Sequence, residues 1–243
     1  MRAYTFSVRT TKEILRDPLT LFFGIGFPLV LLFLLSAIQA NIPVSLFEIE
    51  NLTPGIIVFG LSFISLFTAT LVSKDRTSSL LQRLFTTPMK AGDFLAGYIL
   101  PLIPISLMQG AVCFIAAIVL KLPISINILY SLLLLIPISL FYISVGLLCG
   151  SLLNDKQVGG ICGALLTNLS AWLSGTWFDL ELVGGTFKKI AYSLPFVHAV
   201  EMEKCALSCS FEGFWEHFAY VAVYTAVMLA LAIFVFTKKM KQN

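Results

Sequence analysis

The sequence predicts an all-α membrane protein. The expected parts are six transmembrane helices, an N-terminal amphipathic interfacial helix, a cytoplasmic helix between spans two and three, and an external or re-entrant helical segment before span six. Three observations predict it. Of 243 residues, 58% are hydrophobic and only 12% are charged, about half of the ~25% charged share usual in soluble domains. Mean hydropathy is +0.93. Six stretches lack Asp, Glu, Lys and Arg: 18–47, 51–73, 94–120, 122–154, 157–178 and 217–237. Each is long enough to cross a bilayer as a helix. The basic residues, finally, collect in alternate connections. Such a chain has too little polar surface to cover a soluble core, too much apolar content for disorder, and no cysteine framework for a disulfide scaffold.

The lead, 1–17, is the first element. On a helical projection Arg2, Arg9, Lys12 and Arg16 share one side, and Tyr4, Val8, Thr11 and Leu15 share another. Phe6 falls as a misfit on the charged side. This pattern predicts a helix lying on the membrane surface, ended by Asp17-Pro18. The spans follow at 19–39, 54–72, 95–120, 127–151, 158–177 and 218–236. The first follows a long polar lead and lacks a small-x-small site near Gln39, so it is expected to remain a span and not to be cleaved as a signal peptide. Pro101, Pro104 and Pro137 lie inside spans, which membrane helices tolerate.

Orientation follows from Lys and Arg. With both termini in the cytoplasm, the inner side holds Arg2, Arg9, Lys12, Arg16, Lys74, Arg76, Arg83, Lys90, Lys156, Lys238, Lys239 and Lys241. The outer side holds Lys121, Lys188, Lys189 and Lys204. That is twelve against four of the sixteen basic residues. The reversed topology would put the twelve outside. The net charge of +3 is then a basic rim that anionic lipid can satisfy, and no nucleic-acid partner is expected.

Two connections are more than loops. In the cytoplasmic segment 74–93, Ser79-Leu80-Leu81-Gln82 matches a capping box. Leu80, Leu81, Leu84 and Phe85 then form an apolar face, and Pro88 stops the helix. A cytoplasmic helix with an apolar stripe has to bury it in lipid or in another protein. The external segment 179–216 is too polar to span. Short helices are expected at 186–193, halted before Pro195, and at 197–207, with a break at Gly184-Gly185.

Small-xxx-small patterns occur at Gly146/Gly150 and Gly159/Gly163 and allow close helix approach, which serves packing within a bundle at least as often as dimerisation. Cys113, Cys149 and Cys162 are expected as small apolar fillers. Cys205 and Cys209 are either a disulfide or two free thiols. The spans carry no ionisable side chain, which weighs against ion-coupled transport. There is no P-loop, no H-E-x-x-H and no G-x-S-x-G. His198 with Glu201 and Glu203 could hold a metal, but no second His is near in sequence, so an interfacial polar cluster is the better reading. Ser174-Gly175 with His198 gives only a faint suggestion of an intramembrane serine hydrolase.

Several local stretches share one resemblance. These are Lys12-Glu13-Ile14-Leu15-Arg16-Asp17-Pro18 running on to Phe27-Pro28-Leu29, then Leu84-Phe85-Thr86-Thr87-Pro88-Met89 followed by Gly97, then Phe178-Asp179-Leu180-Glu181 and Leu194-Pro195-Phe196. In this order, with six spans around them, they resemble the membrane subunit of type-2 ABC transporters along essentially the whole chain. The chain departs from that family where Thr77-Ser78-Ser79-Leu80-Leu81-Gln82 stands for Glu-Arg-Gly-Thr-Leu-Glu, and where Tyr98 stands for a Lys after the Gly.

The resemblance implies a dimer, with itself or a sister permease, on two separate ATP-binding cassette subunits that hold ATP and Mg. No cofactor and no catalytic residue are expected in this chain, which is not itself expected to be an enzyme. It implies a coupling helix whose ATPase contacts are Asp75, Arg76, Leu80, Leu81, Arg83, Leu84, Phe85, Thr87 and Pro88. Arg9, Lys12 and Arg16 mark the interfacial helix beside it. The expected place is a bacterial cell membrane, as a multi-pass protein. Uncharged spans suit an amphipathic drug-, peptide- or lipid-like cargo, and the resemblance implies that it is moved outward. The competing readings are a stand-alone channel or secondary transporter, and an intramembrane hydrolase using Ser174 or His198.

Overall fold

The computed structural model describes residues 2–41, 47–78, 91–210 and 212–242. Among them the chain is helical throughout, 87% helix with no strand. The expected coupling helix, with Leu80, Leu81, Arg83, Leu84, Phe85, Thr87 and Pro88, lies outside the described residues.

Helix α1, Arg2–Leu15, is amphipathic as expected. Asp17 caps the next helix, accepting from the Leu19 and Thr20 amides, and Pro18 opens it at the position where a missing N–H costs nothing. That helix, α2, runs over Pro18–Gln39 and contains a π-helical turn at Phe22–Gly26. Helix α3, Ile49–Thr77, is the axis of the bundle. In its apolar window 89% of residues are buried, against 22% in α2. Helices α4, Ala91–Val119, and α5, Asn127–Leu152, pack on it.

The α3–α5 contact is backbone on backbone. A Cβ at Gly146 would lie 2.4 Å from the Ser65 carbonyl oxygen, and one at Gly150 would lie 2.6 Å from that of Ala69. This small-xxx-small pair therefore packs the bundle, as the sequence suggests. The second pair does not repeat it, because a Cβ at Gly159 would meet nothing within 4 Å.

The expected fifth span, 158–177, takes a different form. Asn154 and Gln157 form a reciprocal capping box, so the helix starts early, at Asp155–Val158. It continues as a π-helix at Gly159–Leu166 and an α-helix at Thr167–Leu173. We call the three pieces α6. Gly175, at φ +73°, then turns the chain. Polar residues at both ends and the early stop leave α6 outside the five helices that, among the described residues, are long and apolar enough to cross a membrane. Those five are α2, α3, α4, α5 and the last helix.

The 179–216 segment holds three helices: α7, Leu180–Val183, α8, Gly185–Ser193, and α9, Pro195–Ser208. Pro195 does more than halt α8, since it is the first residue of α9. Helix α9 is buried against α3, α5 and the last helix, α10, Phe214–Gln242. All five cysteines are free thiols, Cys205 and Cys209 among them.

Candidate functional site

The last turns of α3 carry four polar residues in a row, Ser73-Lys74-Asp75-Arg76. Successive residues on a helix point about 100° apart, so Ser73, Asp75 and Arg76 reach different neighbours, while Lys74 is exposed.

Asp75 faces α1 and α4 and is buried. Arg9 of α1 forks onto its carboxylate, Nη1 donating to Oδ2 at 2.8 Å and Nη2 to Oδ1 at 2.7 Å. The Tyr98 hydroxyl of α4 donates to Oδ2 at 2.7 Å. Arg9 also pairs with Glu13 one turn on, at 2.9 Å. The guanidinium is held firmly charged, because the Asp75 hydrogen bond outweighs its partial burial. Such two-pronged pairing fixes orientation as well as distance.

Phe6 supports the pair from below. Its ring stands edge-on to Tyr98 at 5.0 Å and to Phe94 at 5.8 Å, and the Arg9 guanidinium lies 5.7 Å above it. A Cβ at Gly97 would come within 2.3 Å of that ring. The sequence misfit on the charged side of α1 is thus the residue that docks α1 on α4. The face read as apolar behaves differently, with Tyr4, Val8 and Leu15 remaining exposed.

Arg76 faces the end of α5 and donates to the carbonyls of Ser151 and Leu153, acceptors that a helix C-terminus leaves open. The Ser73 hydroxyl donates to Asp155 at the start of α6. One end of α3 therefore clamps α1, α4, α5 and α6. Of the residues expected to contact an ATPase, Asp75 and Arg76 have their side chains engaged within the chain. Lys12 and Arg16 line a groove beside the clamp. Sequence reasoning missed Tyr98 as a partner of Asp75. The signal available was that a hydroxyl-bearing residue stands at the Lys position after Gly97.

A second polar cluster sits at the other end of α5, where the Asn127 side chain donates to the Leu207 carbonyl at 2.9 Å. The metal set His198, Glu201 and Glu203 is not assembled. Glu201 pairs with Lys204 at 2.9 Å, and Glu203 takes a hydrogen bond from the Ser131 hydroxyl. A second His is present after all: Nδ1 of His217, on α10, lies 2.7 Å from Nδ1 of His198. The sequence reading missed it because the two stand nineteen residues apart on different helices. His198 Nε2 lies 2.9 Å from the Tyr192 carbonyl, which can only accept. Nε2 therefore carries a proton, and in the neutral imidazole that burial favours Nδ1 is left to accept from His217. Among the described residues no group of three or more His, Cys, Asp and Glu could hold a metal. The Ser174 hydroxyl bonds the Ala171 carbonyl and Thr176, so neither it nor His198 has the other as a partner.

Glu203 is buried completely, and its Oε1 has no partner among the described residues. Burial pushes the carboxyl up to about 8 against an ordinary 4.5, with the Ser131 hydrogen bond opposing. The folded chain thus keeps a proton that the unfolded chain releases. Its contribution to stability is full below pH 4.5 and is lost as pH rises towards 8. Glu203→Gln is expected to flatten that slope and to melt higher at pH 8, by roughly 2–4 °C for each 1 kcal/mol recovered. Melting curves of both proteins from pH 5 to about pH 9 check this, and parallel slopes would reject it.

No curated protein matches the chain. A family model described as ABC-2 type transporter matches residues 2–202, which takes in the whole α3 clamp and reaches into α9. On that match the chain belongs to the ABC-2 type transporter family.

Proposed function

We propose that the chain is the permease subunit of an ATP-driven exporter. Family membership implies an ATPase partner. The rest of the reading is ours. Six spans, α6 included, cross a bacterial cell membrane with both termini in the cytoplasm. Two permeases, identical or sisters, stand on two ATP-binding cassette subunits that hold Mg-ATP. The helix expected at 79–87 is the coupling element, with Leu80, Leu84 and Phe85 seated in the ATPase. An amphipathic drug-, peptide- or lipid-like cargo leaves through a pathway between uncharged spans.

One observation carries this reading. Segment 79–90 leaves α3 just past Asp75 and returns through α4, whose Tyr98 hydroxyl reaches back to Asp75. Both ends of the segment are thus tied to one carboxylate. A displacement of the segment would reach α1 through Arg9, α5 through Arg76 and α6 through Ser73. A clamp with two discrete arrangements is the kind of element that a nucleotide cycle can bias. In this reading Asp75 and Arg76 are positioning residues, and the apolar residues of the segment make the contact.

The test is a mild-detergent pull-down of the tagged chain from its own cell. The expected result is a co-purifying P-loop protein with vanadate-sensitive ATP hydrolysis. Leu84→Asp is expected to give an equally folded chain that loses partner or uncouples hydrolysis from transport. A chain that purifies alone, under conditions that preserve other membrane complexes, would favour a stand-alone transporter. Failure of Leu84→Asp to fold would make the segment structural.

A further inference from the structure

A groove of about 960 Å³ runs between the charged side of α1, the turn at Pro18 and the last turns of α3. Cavities of this size hold ligands of drug size or larger. One wall is polar and the other is apolar, formed by Phe67 and Leu71.

The polar wall has an uneven balance of charge. Glu13 is spent on Arg9, and Arg9 on Glu13 and Asp75. Asp17 accepts from the Leu19 and Thr20 amides and the Thr20 hydroxyl and stays negatively charged, with Lys74 near enough to favour that charge. Lys12, Arg16 and Lys74 also border the groove, exposed, and none has an ion pair among the described residues. The lining therefore carries four cations, Arg9, Lys12, Arg16 and Lys74, against two acids, Glu13 and Asp17. Lys74 directly follows the charge-free stretch 51–73. The cations consequently stand where apolar helix gives way to polar chain, the level at which lipid headgroups lie.

We propose that this groove binds an anionic glycerophospholipid of the adjoining leaflet. Its phosphodiester meets Lys12, Arg16 and Lys74, and one acyl chain lies along Phe67 and Leu71. A zwitterionic lipid is disfavoured, because its net-neutral headgroup does not offset the excess of positive charge in the groove. A free phosphate ion would leave the apolar wall bare. The site rests only on the chain being in a membrane, and not on its coupling to an ATPase.

Native mass spectrometry of the purified full-length chain in detergent tests the site, with dioleoyl phosphatidylglycerol, dioleoyl phosphatidylcholine and inorganic phosphate as probes. The expected result is one phosphatidylglycerol per chain, preferred at least ~10-fold over phosphatidylcholine, and not displaced by millimolar phosphate. Lys12→Gln, Arg16→Gln and Lys74→Gln are each expected to weaken it about fivefold, and all three together on the order of 100-fold. Thr70→Trp keeps every charge and narrows the groove, and is also expected to abolish the bound lipid. The control pair Lys188→Gln and Lys189→Gln is expected to leave it unchanged. Circular dichroism melts confirm that the variants fold. Displacement by phosphate would make this a simple anion site and overturn the proposal. Undiminished binding by the triple variant or by folded Thr70→Trp would overturn it as well.

Discussion

Asp75→Ala is expected to release α1 from the bundle. The substitution strips Arg9 of its two-pronged acceptor and leaves the Tyr98 hydroxyl buried without one. Breaking a fully buried ion pair costs about 3–5 kcal/mol. Arg9 is 40% exposed and keeps Glu13, so about 2–3 kcal/mol is expected here. Trypsin should then cut at Arg9, Lys12 and Arg16 much faster than in the parent. Arg9→Ala is expected to cost at least as much, because it leaves the carboxylate buried with only Tyr98 for company. The double variant should cost clearly less than the two single losses added, since both remove one interaction. Thermal melts of the purified variants and a trypsin time course measure this. Additive losses, or an unchanged cleavage rate, would mean that Arg9 and Asp75 do not act as a clamp.

The second large effect is expected at Gly146. Its missing side chain is occupied by the α3 backbone at Ser65, and a backbone cannot rotate aside. Overpacking a close contact costs about 1–3 kcal/mol. Gly146→Ala should fall in that range, and Gly146→Leu should exceed it and yield little folded protein. Gly159→Ala is the matched comparison. With nothing near its Cβ position, it should be neutral or gain up to about 1 kcal/mol from helix propensity. Detergent-solubilised yield and melting temperature separate the two glycines. Equal tolerance at both would reject the α3–α5 contact as described.

These expectations show which parts of the molecule could be read in advance. The expected spans 19–39, 54–72, 95–120, 127–151 and 218–236 each fall within one of the five apolar helices or overrun it by a residue. A span is set by bilayer thickness, and that leaves a local signature of length and missing charge. The α6 stretch differs from its expected bounds, 158–177, because its start is set by a cap at Asn154 and its end by a turn at Gly175, and neither is a property of hydropathy. The contacts of the candidate site left no local trace. Arg9 and Asp75 stand 66 residues apart. Phe6 was read as a misfit because a projection shows one helix without its neighbour. Glu203 was read as external and polar, although a fold that buries α9 also buries its carboxyl.

The docking of α1 on α4 also constrains the order of assembly. Helix α1 is made before its ion-pair partner Asp75, which follows 66 residues later, and before Phe94, Gly97 and Tyr98, which follow later still. At ~5–20 residues per second of synthesis, α1 waits roughly 3–13 s for Asp75 alone. During that wait Phe6 has no Gly97 to rest on. The exposed Tyr4, Val8 and Leu15 and the cations beside them give α1 a reason to stay at the membrane surface, close to where α4 will arrive. The same stripe that plays no part in the finished contact would hold α1 at the membrane surface until its partners exist.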